Sequence, residues 1–204
     1  MDFNKTMERL NLQSEIVALA IIGVAVLLIL YLNRQRLLLR LREWRLQRCL
    51  GRIGCEQIRN LVCADGLDGF YTLDRLALVG DAILLISYKA HVGNIYCAEK
   101  ISEWTQVIGR KSFKFDNPLF EIENQLIALK AIVGNVPLRG YLFFGQGAAF
   151  PKGHPDSVLQ PDTIPANLLR GEIDAVAPDV RAAWARLQAQ QANPAAAGGF
   201  SVKT

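Results

Sequence analysis

The chain has 204 residues, of which 51% are hydrophobic and 21% charged, with a formal net charge of +4. That length suits one ordinary domain plus an appendage and excludes a large multidomain assembly within the chain. The basic excess is local, so the charge total does not by itself mark a polyanion-binding protein.

Residues 1–15 are a short segment of mixed charge, with Lys5 and Arg9 set against Asp2, Glu8 and Glu15. Residues 16–32 then read IVALAIIGVAVLLILYL, with no charge, no proline and the single glycine Gly23. As a helix rising about 1.5 Å per residue, this run spans about 25 Å, near the lower limit for a bilayer core. It predicts a transmembrane helix over 16–33, with Tyr31 at the interface and Asn33 and Arg34 closing the run. A core helix is rarely apolar all round. A cleaved signal peptide would need a basic start and a small-residue cleavage site.

Arg34, Arg36, Arg40, Arg42, Arg45, Arg48 and Arg52 follow, opposed only by Glu43. Arginine is retained on the cytoplasmic side, so the expected topology is single-pass in a bacterial-type inner membrane. The N-terminus faces outside and the C-terminal domain lies in the cytoplasm. Residues 34–50 alternate leucines with arginines and predict a basic amphipathic helix beside the headgroups. A DNA-binding basic arm is the other reading of the same cluster.

The four cysteines, Cys49, Cys55, Cys63 and Cys97, form no C-x-x-C pair, and the only histidines are His91 and His154. This spacing argues against a zinc site and suits unpaired thiols in a reducing compartment.

Residues 51–169 predict one α/β domain. Ile58, Leu61 and Val62 have helical spacing, so 55–63 is expected to be a helix ended near Gly66 and Gly69. Residues 71–79 and 83–88 predict strands joined by a turn at Gly80 and Asp81. Further strands are expected at 94–97 and within 104–115. Asn117 and Pro118 open a helix whose apolar face is Leu119, Ile122, Leu126, Leu129 and Val133, ended by Gly134. Residues 138–144 predict a strand parallel to the earlier sheet, and 157–159 a last short one. Residues 170–192 are expected to carry a C-terminal helix from Pro178, with Val180, Trp184 and Leu187 on one face. Residues 193–204, rich in alanine and glycine, read as disordered. There is no internal repeat, no phosphate-binding glycine loop and no Ser/His/Asp set in a known local context.

The order of these elements resembles the restriction-endonuclease-like PD-(D/E)xK fold, a mixed sheet flanked by helices. The local motifs are similar to those of the nuclease-related domain family, NERD. A glycine followed by Gly-Glu opens that family's domain, and here the stretch runs from Gly51 through Gly54 and Cys55 to Glu56. An Ile-Asp-His strand is matched by Leu73, Asp74, Arg75 and Leu76. A Glu-x-Lys strand end is matched by Ser87, Tyr88 and Lys89, with Gly93 following. Trp104 precedes the Asn-Pro pair, and Glu121 stands where the family usually has glutamine.

The resemblance implies magnesium-dependent cleavage of DNA if the domain is active. Such chemistry needs carboxylates to hold a hard cation and a group to activate water. It assigns Asp74 and Glu56 to the metal and Asp74, Lys89 and Glu56 to catalysis, with Lys89 beside the water. The second metal carboxylate belongs at position 87, where this chain has Ser87, and a hydroxyl is a far weaker magnesium ligand. Glu56 or Glu121 would have to replace it. Three functions therefore stand side by side. The first is a degenerate, membrane-anchored nuclease domain that binds nucleic acid or a protein partner. The second is an active magnesium-dependent nuclease. The third is an inner-membrane scaffold subunit of a secretion or conjugation assembly.

Overall fold

Residues 56–64 are a strand, not the helix that their spacing predicts. In the computed structural model this strand, β1 (Glu56–Ala64), pairs antiparallel with β2 (Phe70–Leu78). Asn60 adopts φ 52, in the left-handed region, and the ladder passes from Arg59 opposite Arg75 directly to Leu61 opposite Leu73. Asn60 and Asp74 fall at the break. A left-handed residue resets the two-residue side-chain alternation of a strand. Ile58 and Leu61, three apart, therefore both reach one core, and so do Leu73 and Leu76 on the partner. That spacing imitates a helical face, which is why the helix expectation failed. Asn is also one of the few residues that enters the left-handed region at low cost.

The structure describes residues 23, 24, 27–29, 31–34, 38, 40, 41, 43–64 and 69–192. They fall into two units, Met1–Gln47 and Arg48–Thr204. In the first, the described positions are helical. Most of the apolar run at 16–32 lies outside the described residues, as do the segment at 1–15 and the tail at 193–204. Among the described residues no helix is long and apolar enough to cross a membrane.

The second unit is mixed α/β, with two sheets and flanking helices. β3 (Ile83–Lys89), β7 (Leu138–Phe144) and β9 (Val158–Leu159) complete a five-stranded sheet in the order β1-β2-β3-β7-β9. β2 and β3 form a hairpin through Val79 and Ala82, whose backbones are bonded at 3.0 Å. β3 is central and its first five residues are buried, as its unbroken apolar run requires. β7 pairs with it in parallel, from Ile83 opposite Leu138 to Lys89 opposite Phe144. The crossover is made by α1 (Pro118–Val133).

The sequence predicts a single sheet, but β4 (Gly93–Tyr96), β5 (Glu103–Ile108), β6 (Lys111–Asp116) and β8 (Ala148–Ala149) form a separate four-stranded one, ordered β6-β5-β4-β8. Trp104, fully buried, packs this sheet onto Phe144 at the end of β7.

α1 starts where Asn117 predicts. Its side-chain oxygen accepts the Leu119 N–H at 3.0 Å, and its amide donates to the carbonyls of Glu99 and Ile101. The cap thus ties the helix to the turn before β5, with proline at the first helical position. Gly134, at φ 79, caps the other end. Gln125 and Ala128 join the buried face, whereas Leu126 is only partly covered.

α2 (Pro178–Ala192) buries Val180, Ala183, Trp184 and Leu187 in the main core. It also covers the free edge of β1. Gln190 donates to the Val62 carbonyl at 3.0 Å and Gln191 to the Arg59 carbonyl at 3.2 Å. Side-chain amides here satisfy strand carbonyls that no neighbouring strand meets.

Candidate functional site

The break in the β1–β2 ladder leaves the Asp74 carboxylate facing β3. Continuing the register from Arg75 opposite Ile86 sets Asp74 across from Ser87. The Ser87 hydroxyl donates to Asp74 Oδ2 at 3.0 Å, and the Tyr88 backbone N–H donates to the same oxygen at 3.1 Å. Ser87 is buried. It is the position to which the family resemblance assigns a second carboxylate.

Lys89 is two residues beyond Ser87, on the same side of β3 by the strand period. Its ammonium does not turn to Asp74. It forms an ion pair with Glu121 Oε2 on the first turn of α1, at 2.8 Å. Glu121 Oε1 in turn accepts from Gln125 Nε2 at 3.1 Å, one helical turn further on. The Gln125 side chain is buried, and its carbonyl oxygen has no hydrogen-bond partner among the described residues. The spacing of Glu121 and Gln125, four apart on a helix, makes their contact legible in the sequence.

The structure thus brings together Asp74, Ser87, Lys89 and Glu121 at the C-terminal end of β3. It does not bring Glu56 to them. Glu56 stands on β1 opposite Leu78, four residues along β2 from Asp74, which is about 13 Å of strand. Its Oε2 accepts from the Trp184 indole at 2.6 Å and from Gln188 at 3.0 Å, both on α2. Glu56 thus stands on a strand and not on the helix expected over 55–63, and its carboxylate turns to α2. Its neighbours are a structural clasp, which the sequence does not signal because Trp184 is 128 residues away.

Arg75, which replaces the family histidine, is buried and donates to Gln57 Oε1. Gln57 passes the connection on to the carbonyls of Leu50 and Ile53. Burial and the nearby Arg59 lower the Arg75 pKa to about 10, while the Asp74 charge acts in the opposite direction. By the strand period Arg75 lies on the face of β2 opposite its neighbour Leu76.

The donor set does not suit magnesium. Among the described residues no three His, Cys, Asp or Glu side chains are close enough to hold one ion. Among the described residues, only Asp74 and Glu121 bring carboxylates to this end of β3, and the Lys89 ammonium is bound to one of them. A hard cation needs several oxygen ligands, and a neighbouring ammonium repels it.

The family model of NERD, the nuclease-related domain, matches residues 34–145, more than half of the chain. No curated protein and no solved structure matches.

Proposed function

The chain belongs to the nuclease-related domain family, and from that premise we propose that it is a degenerate nuclease domain that binds nucleic acid without cutting it. The observation that supports this reading is the pairing at the C-terminal end of β3. Asp74 is satisfied by Ser87 and the Tyr88 N–H, and Lys89 is satisfied by Glu121. Among the described residues, no third His, Cys, Asp or Glu joins them to hold a cation. In this proposal the apolar run at 16–32 anchors the domain to the membrane. The arginines from Arg34 onward hold it on the cytoplasmic side.

An active magnesium-dependent nuclease is the second reading, favoured by the position of Glu121. Its carboxylate lies 2.8 Å from Lys89 and would supply the oxygen ligand that Ser87 cannot. The experiment that separates the two uses the full chain in detergent, with linear, circular and single-stranded DNA and either magnesium or manganese. The binding reading expects intact DNA in every lane. Cleavage that disappears in Asp74→Ala and in Glu121→Gln would replace it with the nuclease reading. Failure to bind any nucleic acid would instead favour a scaffold role in a membrane assembly.

A further inference from the structure

Residues 48–192 carry fifteen acidic and fifteen basic residues. A polyanion has no overall field to follow there, so any binding must use a local patch. Several exposed cations of the unit are already engaged. Lys114 pairs with Glu103, Arg139 with Asp81 and Arg181 with Asp174. At the turn between β5 and β6, Arg110 and Lys111 adjoin each other and have no acidic partner within ion-pair reach among the described residues.

The sheet beside this turn presents aromatic and basic groups on one face. Trp104, Gln106 and Ile108 alternate along β5, opposite Phe115, Phe113 and Lys111 on β6. The face is closed at Trp104, which is fully buried, and opens to solvent two residues further on. Phe113 is 47% exposed and Ile108 44%. An apolar aromatic face left in water next to two cations is the combination that stacks an unpaired base and holds its phosphate. His91 joins this face to the candidate site. It follows Lys89 by two residues, stacks on Phe115 with ring centroids 4.1 Å apart, and lies 3.3 Å from the Gln106 side-chain oxygen.

We infer that this face is a binding track for single-stranded nucleic acid, with Phe113 stacking a base and Arg110 and Lys111 contacting phosphates. The inference rests on the nucleic-acid-binding reading above and adds both the surface and the strandedness. Duplex DNA hides its base faces, so it cannot use Phe113 in this way.

The test is fluorescence anisotropy of the full chain in detergent micelles, with a labelled oligothymidylate of about 20 nucleotides and a duplex of the same length. Tighter binding of the single strand is expected. Phe113→Ala should weaken it about 5- to 100-fold, and Phe113→Tyr, which keeps the ring, should bind like the wild type. The pair Arg110→Ala and Lys111→Ala should lower the slope of log affinity against log salt by about 1.4. Circular dichroism of each variant reports that the fold is kept. If the wild type binds and the Phe113 and Arg110/Lys111 variants bind equally well, the track is wrong and the broader reading survives. If the wild type binds no nucleic acid, both fall. Binding only to vesicles containing phosphatidylserine, lost in the same variants, would overturn the track in favour of a lipid surface.

Discussion

Ser87 and Asp74 face each other across adjacent antiparallel strands, and a 3.0 Å hydrogen bond from the hydroxyl joins them. The serine satisfies the carboxylate without adding charge, so the pair is stable with no cation present. A glutamate at position 87 would reverse this.

Ser87→Glu should therefore lower the melting temperature of the metal-free protein. The new carboxylate is buried against Asp74, and an uncompensated charge of this kind costs about 2–4 kcal/mol. Manganese should restore much of that loss, with calorimetry giving an affinity higher than wild type by roughly one to three powers of ten. A variant whose melting temperature ignores manganese would show that the cleft has lost the geometry of a metal site.

The Glu56–Trp184 contact predicts a stability effect with no binding effect. Trp184→Ala removes a core ring and should cost about 3–5 kcal/mol in urea unfolding. Trp184→Phe keeps most of the packing and should cost only about 1–2 kcal/mol, from the lost hydrogen bond to the carboxylate. Neither Trp184→Phe nor Glu56→Gln should change nucleic-acid affinity once folded. A drop in affinity for Glu56→Gln would return that residue to the functional site.

Burial pushes the Cys63 thiol up from 9.0 to about 11. The folded state thus holds this proton more tightly than the unfolded chain does. The resulting stability is fully present below pH 9 and is lost as the pH rises toward 11. Unfolding free energy should decline across that window, and Cys63→Ala should flatten the decline. Thiol labelling at pH 8 should reach Cys63 only on unfolding, since its side chain is fully buried. Rapid labelling of native Cys63 would contradict this.

The proposed anchor predicts a topology. A reporter that is active only in the cytoplasm should work when fused after Thr204 and fail when fused before Met1, because the arginines lie on one side of the apolar run. The reverse pattern would require the C-terminal domain to lie outside.

Strands β2 and β3 were legible because each is a short apolar run bounded by turn residues, and their shared hairpin fixes the register. The facing of Asp74 and Ser87 follows from that register. α1 was legible from Asn117, Pro118 and Gly134, whose roles are local. β1 was not, because one left-handed residue, Asn60, gave a strand the spacing of a helix. The division into two sheets was hidden too, since it depends on Trp104 and Phe144 meeting across 40 residues of chain. The Lys89–Glu121 pair and the removal of Glu56 to α2 also arise from tertiary packing, which no window of the sequence contains.

The clasp between α2 and β1 sets where this protein can be cut. The family match stops at residue 145, and a fragment trimmed there would also lose β9 and the whole of α2. The outer rim of β1 would then present bare carbonyls at Arg59 and Val62, beside a hollow where Trp184 had been. An open rim of that kind invites edge-to-edge association between molecules. Soluble material for biochemistry should therefore run through Ala192, and precipitation of shorter versions would report a lost rim guard, not an unstable nuclease-like core.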